Sequence, residues 1–99
     1  MKNFILNAKG EQVLASSFME WARWFEHAGK ARIYAQETIG DHWVSTVFLG
    51  IPGQVWETMI RHKDGEWVYQ KRCETKEEVP AMHEEAMAWA REHEALRGV

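Results

Sequence analysis

Apolar and polar residues change their period along this chain, and the changes mark the boundaries of its elements. Ala31 to Ile39, His42 to Leu49, Val55 to Arg61 and Trp67 to Cys73 follow the two-residue period of strands. Gly40-Asp41 and Asp64-Gly65 suit two-residue hairpin loops, and Gly50-Ile51-Pro52-Gly53-Gln54 reads as a longer break. Those loops would set Thr38 opposite Trp43, Ile60 opposite Tyr69, and Glu57 opposite Arg72. In the first hairpin Ile33, Ala35, Val44 and Phe48 then share one face, with Tyr34, Trp43, Val47 and Leu49 on the other. In the second, Trp56, Ile60, Trp67, Tyr69 and Cys73 form the expected core face. Glu57, Met59, Arg61, Val68 and Arg72 lie behind it.

The flanks carry helical spacing. Ser17-Phe18-Met19-Glu20 is a capping box, followed by the stripe Phe18, Trp21, Ala22, Phe25 and Ala28 and a stop at Gly29. Trp24 sits at the edge of that stripe. Thr75-Lys76-Glu77-Glu78 is a second box, opening a helix to about Leu96 with Val79, Met82, Ala86, Trp89, His93 and Leu96 inward. Pro80 is tolerated only in a first turn, so that helix should begin a residue or two after the box. Phe4-Ile5-Leu6 and Gln12-Val13-Leu14 predict a short hairpin across Asn7–Gly10.

One α+β domain over residues 1–99 follows: an antiparallel four-stranded sheet plus a short N-terminal hairpin, packed against two helices in the order ββ-α-ββ-ββ-α. Two helices cover one side of such a sheet. The apolar groups on the other side predict a second subunit, as in a homodimer, or a partner protein.

Composition narrows the function classes. A net charge of −3 and the acids interleaved with Arg61, His62, Lys63, Lys71 and Arg72 argue against nucleic-acid binding. A single cysteine excludes an internal disulfide and fits a cytoplasmic setting. No apolar run approaches the ~20 residues of a membrane helix, and the N-terminus lacks a signal-peptide core.

The candidate chemistry is sparse. His83 and His93 lie ten positions apart, about 80° around and ~15 Å along a helix, so they cannot share an ion. No metal site or cofactor is expected, with His93 half-buried and the other histidines on the surface. Glu57 reads as a cross-strand ion-pair partner of Arg72, and Cys73 as a structural thiol. No nucleophile elbow, phosphate loop or carboxylate pair is present, so no catalytic residue is assigned.

Trp21-Ala22-Arg23-Trp24-Phe25-Glu26, Val44-Ser45-Thr46-Val47-Phe48-Leu49-Gly50, Glu57-Thr58-Met59, and Thr75 followed by His83 resemble a family of small phage- and prophage-encoded proteins. The family pattern has a longer Gly-rich loop before Glu-Thr-Met, here shortened to Ile51–Gln54. The resemblance implies an accessory protein acting inside a bacterial cell, and it transfers no catalytic residues.

The expectation is a non-enzymatic protein that binds a host protein, with inhibition of a defence component as one form of this. Tyr34, Trp43, Trp24, Arg61, Lys63, Glu57 and Arg72 are its candidate binding residues. The alternatives are a small-ligand or nucleotide site at a subunit interface, lined by Trp43, Glu37 and Arg32, and a small enzyme using Glu57 or His83.

Overall fold

The computed structural model describes residues 2–97, with side chains through Ala95. A two-stranded hairpin, β1 (Phe4–Leu6) and β2 (Gln12–Leu14), precedes α1 (Phe18–Ala28). Four strands follow: β3 (Ile33–Ile39), β4 (His42–Ile51), β5 (Gln54–His62) and β6 (Trp67–Cys73), and then α2 (Val79–Arg97). β3 to β6 pair in chain order as an antiparallel meander. The α+β class, both hairpins and both helices are as the periodicity predicts. No helix among the described residues is long and apolar enough to cross a membrane.

The local chemistry explains most boundaries. Ser17 Oγ accepts from the Glu20 amide, while the Glu20 carboxylate accepts from Ser16 one residue earlier than a strict box requires. Thr75 and Glu78 cap reciprocally and open a 3-10 turn over Lys76–Glu78. The α-helical hydrogen bonding then begins at Val79, which leaves Pro80 in the first turn. Gly40 alone carries positive φ in its two-residue loop (56°), the pattern of a type II′ hairpin.

Three departures from the expected register move side chains between faces. β3 and β4 pair as expected from Ile39–His42 to Ala35–Thr46, but Ile33 then pairs with Val47. Tyr34 is therefore the extra residue of a bulge. It lies beside His83 of α2, with ring centroids 5.7 Å apart, and not beside Trp43. Ile33 joins the face of Val47 instead of that of Phe48.

The Asp64-Gly65 turn is a three-residue loop, Lys63-Asp64-Gly65, closed by the Gly65 and His62 amides donating to the His62 and Glu66 carbonyls (both 2.8 Å). Ile60–Tyr69 and Glu57–Arg72 keep the expected register, but Arg61 pairs with Trp67. Val68 is thus the inserted residue, packed against the Val44–Ile60 cluster, and Trp67 turns to the opposite face, where it is 51% exposed.

The expected break at 50–54 is also shorter: β4 runs through Ile51, and Pro52-Gly53 alone turns the chain. Gly50 (φ 72°) lies where β1 and α1 close on the sheet. A Cβ there would collide with the Phe4 carbonyl oxygen and crowd Trp21 Nε1, which donates to the Leu49 carbonyl at 3.0 Å.

α2 crosses the face that carries Val44, Thr46, Phe48, Trp56, Thr58 and Ile60. Two apolar clusters result. Phe48, Val55 and Trp56 pack with Val79, Met82 and Leu6. Val44 and Ile60 pack with Ala86, Met87 and Ala90, whose alanines are fully buried and let the helix approach closely. Trp89 and His93 of the expected stripe are half-buried and stacked on each other, and Leu96 lies outside the residues whose side chains are described.

α1 does not lie across the sheet. It closes the Phe48 end through Trp24, whose ring meets Phe48 edge-on at 5.4 Å, while Phe18 and Met19 stay exposed. Gly50→Ala is expected to lower stability by more than ~2 kcal/mol, because the positive φ and the Phe4 collision act together. For a chain of this size that is a fall in Tm on the order of 10 °C, read by thermal circular dichroism.

Candidate functional site

Four polar groupings are candidates for chemistry: two centred on histidines, one ion pair and one around a thiol. The most buried joins four elements, β3, β4, β5 and α2. His83 Nε2 donates to Glu37 Oε2 at 2.6 Å, and His83 Nδ1 lies 2.7 Å from Thr46 Oγ1, which is 2.5 Å from Thr58 Oγ1. Thr46 and Thr58 have no exposed surface and His83 is 3% exposed, so His83 is a core residue and not the surface residue expected from its polarity.

The carboxylate of Glu37 fixes the direction of the chain. With Nε2–H directed at Glu37 and Nδ1 accepting, Thr46 donates to Nδ1 and Thr58 donates to Thr46, so each contact has one donor and one acceptor. This is the connectivity of a hydroxyl–imidazole–carboxylate triad. Its hydroxyl, however, is sealed beneath α2, where no substrate carbonyl can reach it. The arrangement can hold a helix on a sheet; it cannot perform acyl transfer.

A second grouping lies at the opposite end of the core from α1. His42, also buried (4%), is 2.7 Å from Glu94 Oε1 through Nδ1 and contacts the rings of His62 and Trp89 edge-on. Glu94 also accepts from the Asp41 amide at 2.8 Å, and this donor is the main reason its carboxyl lies below the usual range. The two hairpin loops are tied together by the Lys63 amide donating to the Asp41 carbonyl at 2.8 Å. Between them opens a 460 Å³ cleft lined by Thr38, Gly40, Asp41, His42, Trp43, Arg61, His62 and Lys63.

The third grouping is the expected ion pair. Glu57 Oε2 accepts from Arg72 Nε and Gln70 Nε2, both at 2.9 Å, on the face turned away from α2. The fourth surrounds Cys73, whose thiol is pushed up to about 11 by burial and then by the Glu78 carboxylate, so it is not a nucleophile at neutral pH. Among the described residues no three His, Cys, Asp or Glu side chains converge as metal ligands would.

The predicted binding residues separate into three places. Trp43, Arg61 and Lys63 meet at the cleft, and Glu57 and Arg72 lie on the same open face of the sheet. Trp24 is packed on Phe48, and Tyr34 lies by His83, so neither belongs to that face. Trp43, Glu37 and Arg32 do not come together: Glu37 binds His83, and Arg32 lies over the Phe25 ring at 4.1 Å. Trp67, which the expected register placed in the core, is 6.5 Å from Trp43 by ring centroid and belongs to the open face.

Comparison of the chain with family models, curated proteins and solved structures gives no match, so its site is read from its own geometry.

Two outcomes test these groupings. Thr46→Val keeps the shape but strands the His83 and Thr58 partners, and a loss of ~2–3 kcal/mol in urea unfolding is expected, against about 1 for Thr46→Ser. Glu94 has a folded pKa below its ordinary 4.5, so its contribution is present above that value and lost as pH falls through the lowered one. Glu94→Gln should therefore flatten the fall in Tm measured from pH 6 down to pH 3.

Proposed function

We propose that this chain is a non-enzymatic binding protein that docks a partner protein on the sheet face α2 leaves open, the role of a phage accessory factor acting on a host protein. The observation that carries this reading is Trp67. A β-bulge takes it out of the core and leaves it 51% exposed beside Trp43. Bulges are specific re-aiming devices, and large rigid aromatics next to arginine are the side chains that most often dominate binding energy.

The rest of the face fits a docking surface. Val47 and Met59 are half-buried at its centre, and Glu57 and Arg72 satisfy each other, so covering them strands no charge. Glu57, Arg61 and Arg72 together leave the face close to neutral. The buried hydroxyl of Thr46 and the raised thiol of Cys73 are the nearest approaches to a nucleophile, and neither is poised to react.

Affinity capture from bacterial lysate, combined with light scattering, tests the reading. The expected result is a protein partner retained by wild type and by Glu84→Ala on the far side of α2, and lost by Trp67→Ala and Val47→Asp with unchanged circular dichroism. Retention that is indifferent to Trp67 and Val47 would overturn it. So would a wild-type dimer that dissociates only in those two variants, because the face would then serve self-association.

A further inference from the structure

We infer that the cleft between the hairpin loops is a binding site for a small anion that carries an aromatic ring, with a mononucleotide as the class that fits. Three adjacent strands place Trp43, Arg61 and Trp67 in one cross-strand row, since Trp43 pairs with Arg61 and Arg61 with Trp67. The Arg61 guanidinium lies 5.8 Å from the Trp67 ring centre and makes no ion pair among the described residues. A guanidinium against one indole, with a second indole 6.5 Å from the first, gives a stacking platform that carries a positive charge.

The cleft beside that row supplies the second half of the site. Its 460 Å³ suits a ligand of nucleotide size. Lys63 stands at its rim, 65% exposed, in a 3.4 Å surface pair with Asp41 that contributes little and can yield to a stronger anion. An anionic group held between Arg61 and Lys63 would leave the attached ring against Trp43, with Thr38 and Asp41 offering hydrogen-bond partners to its edge or sugar.

The site is also held in place before any ligand arrives. The Lys63 amide on the Asp41 carbonyl locks one loop to the other, and Glu94 holds both the Asp41 amide and His42 from α2. Fixing these groups in the free protein removes an ordering cost from binding.

The charge pattern limits the length of the ligand. Away from the cleft the open face offers Met59, Val47 and a Glu57–Arg72 pair that is already satisfied, so a polyphosphate backbone finds no continuous cationic track. Near the cleft, Asp64 lies by His62, and Asp41 and Glu94 add negative charge. With only Arg61 and Lys63 set against these acids, the cleft can accept one anionic group at most, and a long strand is excluded.

Tryptophan-fluorescence titration of the intact protein with 5′-AMP, adenosine, inorganic phosphate and an oligothymidylate tests this. The expected result is saturable quenching by 5′-AMP, with adenosine and phosphate each at least ~10-fold weaker. Arg61→Ala and Lys63→Ala should each weaken AMP by about 10-fold or more while circular dichroism is unchanged. Val47→Asp, outside the cleft, should bind AMP as wild type does, which separates this site from protein docking. Absence of saturation at ~10 mM AMP, phosphate binding as tightly as AMP, or indifference to both cationic substitutions would overturn the inference. An oligothymidylate that binds more than ~10-fold tighter than AMP through Arg61 and Lys63 would overturn it as well, because the ligand would then be a strand and not a mononucleotide.

Discussion

The fold depends on a short polar seam between two apolar clusters. On one side Phe48, Val55 and Trp56 pack with Val79 and Met82; on the other, Val44 and Ile60 pack with Ala86, Met87 and Ala90. Between them Thr58, Thr46, His83 and Glu37 run from the middle of the sheet through α2 to its edge strand. An apolar helix could slide along an apolar sheet with small changes in burial. A buried imidazole with two required partners cannot, because any shift leaves unpaired polar atoms in a low-dielectric core. The seam therefore sets which residues of α2 face the sheet, and it does so with geometry that resembles catalysis while excluding substrate.

A single crossing helix has a consequence for the other side of the sheet. α1 is occupied at the Phe48 end, where Trp24 and Trp21 fasten it to the ring of Phe48 and the carbonyl of Leu49. Nothing else among the described residues lies across Trp43, Val47, Met59 and Trp67. The bulge at Val68 adds Trp67 to this face at the expense of core volume, a choice that folding alone does not favour. Half-buried Trp43, exposed Trp67 and the cleft next to them are left uncovered by the described residues.

Much of this is legible in the residues, and the side chains placed on the wrong sheet face share one cause. Turn glycines, capping boxes and period-two alternation place the strands, the helices and the Glu57–Arg72 pair. Tyr34 and Trp67 were assigned to the wrong faces because a bulge adds one residue and inverts everything beyond it, and neither Tyr34 nor Val68 carries a local mark of it. His83 was missed for a different reason: its polarity hid its position. Val79, Met82, His83, Ala86, Met87 and Ala90 form one helical stripe, and Thr46 and Thr58 are inward polar positions on neighbouring strands. A polar residue inside each of three apolar patterns is a signal that they meet.

The central claim is that α2 covers one face of the sheet while the other, bearing Trp67, stays open. Hydroxyl-radical footprinting of the isolated protein measures this directly by mass spectrometry. The account predicts rapid oxidation of Trp67 (51% exposed) and measurable oxidation of Met59, with Trp56, Met82 and Met87 protected. Protection of Trp67 and Met59 to the level of Trp56 would contradict it, because that face would then be covered or β6 would lack its bulge.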